Sequence, residues 1–402
     1  MARKRNSIDS RIDYSVVLPV FILLLIGLAA VYIATLHDYP NNVTMVMTQQ
    51  IIWMLCGCVI AFVVMLFSTE LLWKITPYLY VLGLFLMILP LIFYSPTLVE
   101  ATGSKNWVTI GSVTLFQPSE FMKISYILML ARSTIWFHQK YQELTFKRDL
   151  QLIGIYALIT LPVMIFLGLQ KDLGTAMVFM AILAGMILIS GISWWLILPV
   201  VLFVALCFLI FIIIFLIPNG KEFLFNLGMD TYQINRISAW LDPFSFSKTI
   251  AYQQTQSMVS IGIGGLFGRG FGDVALSVPV RESDMIFTVI AEDFGFIGSA
   301  IVLGLYLLLI YRMIRVTFAS NNRFYVYIST GFIMMILFHI LENIGAAIGI
   351  LPLTGIPLPF ISQGGSALIT NLIGVGLVLS MGYQNNLNIQ KEIAEKFLRS
   401  RR

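Results

Sequence analysis

The sequence predicts an all-α polytopic membrane protein: ten transmembrane helices, both termini cytoplasmic, and one long extracytoplasmic loop between helices 7 and 8. Three observations carry this. Hydrophobic residue types make up 58% of the 402 residues and charged types only 11%, where a soluble domain carries about 25% charge. Ten stretches approach the roughly 20 apolar residues that a helix needs to cross the hydrocarbon core. Lys and Arg concentrate on one side of the alternating loops, as cytoplasmic loops do. Residues 1–402 read as a single integral membrane domain, without a soluble domain, a low-complexity tract or a clear internal repeat.

In order, the windows are 15–34, 50–67, 75–94, 118–136, 150–168, 173–190, 193–217, 285–311, 324–345 and 362–382. The first is too long for a signal-peptide core and lacks a cleavage site, so it is expected to remain as a helix. Of the 25 Lys and Arg residues, 17 fall on one face, among them Arg3, Lys4, Arg5 and Arg11 at the start and Arg401 and Arg402 at the end. Seven fall on the other face, five of them in the loop 218–284, which is too long for the positive-inside rule to count. The net charge of +5 therefore reflects cytoplasmic bias, and no nucleic-acid partner is expected. Cys56, Cys58 and Cys207 sit in apolar runs without disulfide or zinc spacing, as core or lipid-facing residues.

The expected outer face holds the long loop, a loop containing GSKNW (103–107) and the segment LPLTGIPLPFISQGG (351–365). Backbone that leaves a helix at membrane depth must line protein or water, so these Gly/Pro-rich pieces are expected to frame a cavity. Ionisable residues within spans are functional candidates, because each costs about 2.5–3.5 kcal/mol to insert. Glu120 and Lys123 stand at i, i+3 in QPSEFMK and are read as a neutralising ion pair. Asp172 in QKDLGT opens a helix, where capping accounts for an acid. His339 and Glu342 are again i, i+3, read as hydrogen-bonding residues between helices in preference to a metal site.

Four acids bracket the run VRESDMIFTVIAEDFG: Glu282, Asp284, Glu292 and Asp293. Asp284 stands at the mouth of the eighth helix, reachable by substrate as a base or serving as an N-cap. Glu292 lies eight residues deeper, about 12 Å along the axis, and with Asp293 requires an internal partner. Lys123 is the one basic residue placed within a predicted span. GIGGLFGRGFG (262–272) matches neither GxGxxG nor the Walker A pattern. Its glycines point to close approach of backbone to a substrate or another helix.

The chain resembles the SEDS family of bacterial cell-wall proteins, FtsW/RodA/SpoVE, over nearly its whole length. FQPSEFMK (116–123), QKDLGTA (170–176), RISAWLDPF (236–244), YQQTQSMVSIGIGGLFGRGFG (252–272), SDMIFTVIAEDFGFIG (283–298) and LPLTGIPLPFISQGGSAL (351–368) carry the resemblance. TGIPLP is similar to the RodA, elongation branch. Departures from the family pattern are Glu282 where His is common, Lys171 and Ala251 where Pro and Gly are usual, and Gln363 where Tyr is usual.

The resemblance implies a peptidoglycan glycosyltransferase of the cell membrane that polymerises lipid II on the outer face. It implies a class B penicillin-binding protein as partner and a place in elongation or division machinery. Asp284 falls on the family's essential aspartate and is the expected catalytic residue. Glu120, Lys123, Asp172, Glu292, Ser362, Gly364, Gly365 and Ser366 fall in the family's motifs as binding or structural candidates. The leaving pyrophosphate needs positive charge, from a divalent cation (Mg²⁺ or Mn²⁺) or from Lys105, Arg236, Arg269 or Arg281. The alternatives are a lipid II flippase or transporter, for which buried Glu120, Lys123 and Glu292 would matter most, and a non-catalytic scaffold for a transpeptidase.

Overall fold

In the computed structural model, which describes residues 12–111, 113–141, 145–320 and 322–399, nearly every element is a helix. In chain order these are α1 (Tyr14–Asp38), α2 (Val43–Met65), α3 (Thr69–Leu86), α4 (Leu89–Ile92) and α5 (Pro96–Thr102), then strands β1 (Val108–Ile110) and β2 (Val113–Phe116). There follow α6 (Pro118–Lys140), α7 (Phe146–Gln170), α8 (Leu173–Ile189), α9 (Trp194–Leu216), α10 (Gly220–Asn226), α11 (Thr231–Leu241), α12 (Tyr252–Gly264), α13 (Ile286–Ala319), α14 (Arg323–Ala347) and α15 (Gly365–Arg399). The basic residues Arg3, Lys4, Arg5, Arg11, Arg401 and Arg402 lie outside the described residues.

Among the described residues, eight helices are long and apolar enough to cross a membrane, which makes this a multi-pass membrane protein. All ten predicted windows are helical, but two fall short of that standard for different reasons. α8 is apolar and only 17 residues long. α6 has the length but carries Glu120, Lys123, Arg132 and several hydroxyls. It is nonetheless heavily buried, from Pro118 to Phe137, because its polar groups find partners inside the bundle. Tyr126 meets Thr160 at 2.7 Å and Thr134 meets Tyr156 at 2.6 Å, both across to α7, which satisfies hydroxyls that lipid would leave unpaired.

α15 packs along α2, α14 along α8 and α6, α3 along α6, and α1 along α13. α9 is the opposite extreme: only Ile197 and Phe215 are buried, and lipid is as good a solvent for its remaining face as protein. The three cysteines are free and on the exposed surfaces of their helices. Two expectations need correction. The strands β1 and β2 pair antiparallel, so the fold is not purely helical. The 218–284 segment is not one loop, since α10, α11 and α12 form within it. Hydropathy misses these because their amphipathic or polar composition carries no membrane signal.

α13 is broken at Gly295, whose φ of 63° and ψ of −157° leave the helical region. The glycine-rich run repairs the break. Arg269 and Gly270 donate backbone N–H groups to the Glu292 and Asp293 carbonyls at 2.9 and 3.1 Å. Phe296 and Ile297 donate to Gly265 and Leu266 at 2.9 and 3.2 Å. The two backbones lie so close that a Cβ at Gly264 would stand 2.0 Å from the Ala291 carbonyl oxygen, and one at Gly268 2.1 Å from that of Asp293. The glycines thus serve contact with a helix.

Candidate functional site

The segment between α12 and α13 is pinned from every side before it presents Asp284. Val280 takes φ 54°, a conformation that costs a β-branched residue strain and persists only where the surroundings impose it. Its carbonyl accepts from Ser283 and Met285 N–H. Next, Arg281 turns inward, donating to the Leu276 carbonyl and pairing with Glu292 at 3.3 Å, both side chains fully buried. The Ser283 carbonyl accepts from Ser362 Oγ at 2.6 Å, and the Glu282 carbonyl from Gln363 N–H at 2.9 Å. Asn343 Nδ2 of α14 bridges the Asp284 and Ile356 carbonyls, each at 2.9 Å.

So held, Asp284 does not cap α13: the N-cap position is Met285, without a side-chain bond. The carboxylate instead accepts from Ser283 Oγ at 2.8 Å, and its Oδ2 faces Gly355, where a Cβ would lie 3.3 Å away. Gly355, at φ 79°, supplies both the turn of TGIPLP and room beside the acid. Burial pushes the Asp284 carboxyl above the ordinary carboxylate range, while the Ser283 bond and the Arg236 charge pull it back. Glu282 is also raised, by burial and by the charges of Asp38 and Asp284. A carboxylate raised in this way is basic for its type, which favours proton abstraction.

Of the four basic candidates, Arg236 is the one whose charge bears on the Asp284 carboxyl. It rides on α11, its guanidinium over the Tyr232 ring at 4.4 Å. Arg281 is not open to a ligand, because it is buried against Glu292. Arg269 pairs with its neighbour Asp273 at 3.3 Å beside the α13 break. Lys105 sits over the Tyr94 ring at 4.3 Å. Glu292 therefore finds its partner in Arg281, not in Lys123, and its Oε1 also accepts Ala275 N–H at 2.7 Å. Asp293 accepts Gly272 N–H at 2.6 Å.

Lys123 pairs with Glu120 at 2.8 Å and meets His339 Nε2 at 3.2 Å, joining α6 to α14. Glu342 turns the other way and accepts from Thr354 Oγ1 at 2.6 Å. Asp172 caps α8 through Thr175 N–H at 3.0 Å and does more: its Oδ2 accepts from Asn106 at 2.8 Å and Gln117 at 3.4 Å. The Gln117 N–H donates to Ser366 Oγ at 3.1 Å. Lys171 takes φ 56° at the end of α7, which Pro, with φ fixed near −65°, does not adopt. Among the described residues no three His, Cys, Asp or Glu side chains converge to hold a metal ion.

Between the GSKNW loop, β2, α2 and the start of α15 lies a cavity of about 230 Å³. Gly364, Gly365 and Ser366 line it, with Gln50, Trp53 and Trp107. Two of the three pieces expected to frame a cavity, the GSKNW loop and the end of 351–365, line this one, and no residue of 218–284 does. Sequence reasoning assigned no role to Asn343, Gln50 or Trp53. Asn343 alone left a signal, as a polar residue beside Glu342 within a span.

A family model described as cell cycle protein, FTSW_RODA_SPOVE, matches residues 13–387. The chain belongs to the FtsW/RodA/SpoVE family. It is 30% identical over 402 residues to the probable peptidoglycan glycosyltransferase FtsW of Coxiella burnetii, covering 95% of this chain and 99% of that one. Identity is 34% to the peptidoglycan glycosyltransferase MrdB of Escherichia coli, over 76% of this chain and 77% of that one. The fold matches a chain of a solved peptidoglycan synthase complex that coordinates polymerization and crosslinking, with a TM-score of 0.74 and 26% identity. That match covers 93% of this chain and 98% of the other.

Proposed function

We propose that this family member, a peptidoglycan glycosyltransferase like its relatives, polymerises lipid II into glycan strands with Asp284 as general base. The observation that carries the reading is the setting of Asp284: it caps no helix, burial raises it, and its segment is bonded to Ser362 at the edge of the cavity. Asp284 takes the proton from the 4-hydroxyl of the acceptor N-acetylglucosamine. The oxygen attacks the anomeric carbon of the donor with inversion, and undecaprenyl pyrophosphate leaves. Arg236, whose charge bears on Asp284, is assigned the positive charge that stabilises the departing pyrophosphate.

A lipid-anchored substrate fixes its pyrophosphate at the membrane surface, and Asp284 precedes the first turn of a spanning helix. In this reading the chain spans the membrane ten times as one domain, α6 and α8 included. Both termini are cytoplasmic, and the Asp284 end faces outside. A class B penicillin-binding protein is the partner, and TGIPLP favours the elongation role. The test is glycan formation from pure lipid II by the solubilised protein, wild type beside Asp284→Asn, with and without that partner and divalent cations. Polymer from the wild type and none from a folded Asp284→Asn supports the reading. A fully active Asn variant removes the base, and a silent wild type under every condition returns the reading to transport or scaffolding.

A further inference from the structure

We propose that the cavity between Trp53, Trp107 and Gln363 binds one neutral, N-acetylated sugar ring of the glycan next to the Asp284 loop. The inference deepens the polymerase reading and rests on it for the identity of the polymer, but not for the chemistry of the pocket.

That chemistry begins with what the lining lacks. No charged side chain contributes to it, so it offers no ion pair to a pyrophosphate or a peptide carboxylate. What it offers is two indoles and the amides of Gln49 and Gln363. A pyranose ring has an apolar C–H face and an equator of hydroxyls, and an acetamido group adds a donor and an acceptor. Flat aromatic faces with a few fixed polar groups are what orient such a ligand. Among the described residues, neither indole N–H and neither of these two amides makes a hydrogen bond within the protein, so all four remain free for a ligand.

The pocket is also built rigidly, as a binding site must be. Gln50, 3% exposed, is fully committed to the wall: its amide donates to the Ser362 carbonyl at 3.3 Å and accepts from Gly364 N–H at 3.4 Å. The Trp53 indole lies directly on Gly365, where a Cβ would meet the ring at 2.7 Å. Trp107 follows Asn106, which Asp172 holds. A tryptophan that merely anchors the chain at the membrane interface needs neither a glycine seat nor a neighbour amide.

Position completes the case. The backbone of Gln363, at the pocket's edge, bonds the Glu282 carbonyl at 2.9 Å, and Ser362 bonds the Ser283 carbonyl at 2.6 Å. One wall of the pocket is therefore continuous with the segment that presents Asp284, and a chain of sugars seated there leads to the carboxylate.

The test uses the full-length protein in detergent and a β-1,4-linked N-acetylglucosamine tetramer as probe. Binding is read by tryptophan fluorescence and saturation-transfer NMR, on wild type, Trp53→Ala, the apolar but non-aromatic Trp53→Leu, and Gln363→Ala. Saturable binding by the wild type, weakened about tenfold or more by loss of the ring face, is expected. In the lipid II assay the KM should rise by a similar factor, more than kcat falls. Folded Trp53→Leu and Gln363→Ala proteins that bind the tetramer as the wild type does would overturn the site. A wild type that binds the tetramer without making polymer supports the sugar site and sinks the polymerase reading. A wild type that makes polymer with KM unchanged in all variants does the reverse.

Discussion

Arg281 and Glu292 meet at 3.3 Å with neither side chain touching solvent, three residues before the candidate base and eight after it. A buried pair of this kind is a weak source of net stability, but breaking it is expensive, since the remaining charge is stranded. Arg281→Met or Glu292→Gln should therefore lower stability by about 3–5 kcal/mol. The double variant Arg281→Met, Glu292→Leu should recover much of it. Thermal unfolding of the solubilised variants checks this, and equal losses in the single and double variants would argue against the pair.

Asp284→Asn should stop polymerisation, a loss of about 10²–10⁴-fold if general-base help is what it removes, and should also stabilise the fold at neutral pH. Burial raises the Asp284 carboxyl in the native state, so the native fold prefers it protonated. Stability is lost as pH rises from the unfolded pKa, about 3.9, through the higher native one. Asn, always neutral, escapes that loss. Its Tm advantage should be present at pH 7 and vanish below about pH 4; a variant less stable than wild type at pH 7 contradicts the burial argument.

With Asp284 as the proposed base, which must be ionised to act, the acidic limb of the pH–rate profile should sit above the ordinary carboxylate range. Arg236 favours the charged form. Arg236→Gln should move that limb to higher pH as well as reducing kcat. Initial rates from pH 4 to 8 decide it, and an unmoved limb would separate Arg236 from the carboxylate.

The glycine run gives a contrast within one motif. A Cβ at Gly268 would stand 2.1 Å from the Asp293 carbonyl oxygen, at a φ of 80°, whereas Gly262 has open space around it inside α12. Gly268→Ala should cost more than about 1–3 kcal/mol of backbone strain and reduce the yield of folded protein. Gly262→Ala should be neutral or stabilise by up to about 1 kcal/mol. Expression and Tm of the two variants provide the comparison.

The eight helices that are long and apolar enough to cross a membrane are legible in the sequence because lipid imposes a length and a composition on a span. Helix ends are less so: α2 begins at Val43, before the apolar window, since Thr44, Thr48, Gln49 and Gln50 carry no hydropathy signal. Motif residues also find their region, and Asp284, Asp172 and the Ser362–Ser366 stretch do gather at one end of the bundle. Partners are what spacing cannot supply. Lys123 and Glu120 are local, at i, i+3, and so were readable. Arg281 reaches Glu292 only because the chain turns at Val280, and a polar pair formed across a turn leaves no periodicity. The same holds for Gln50, which bonds residues more than 300 positions away.

The four backbone bonds that join 265–270 to the broken turn of α13 have a mechanical consequence. Amides of Arg269, Gly270, Phe296 and Ile297 should exchange with deuterium only when the whole unit opens, together with α13 itself. The middle of the extramembrane segment is spliced into the bundle and cannot swing. The 274–283 turn is tied down as well, by Ala275 on Glu292 and by Ser362 and Gln363 on the Ser283 and Glu282 carbonyls, so any opening of this face must be carried by the 218–250 stretch with Arg236. Slow exchange from 265 to 285 beside fast exchange over 218–250 would be the signature of that hinge arrangement.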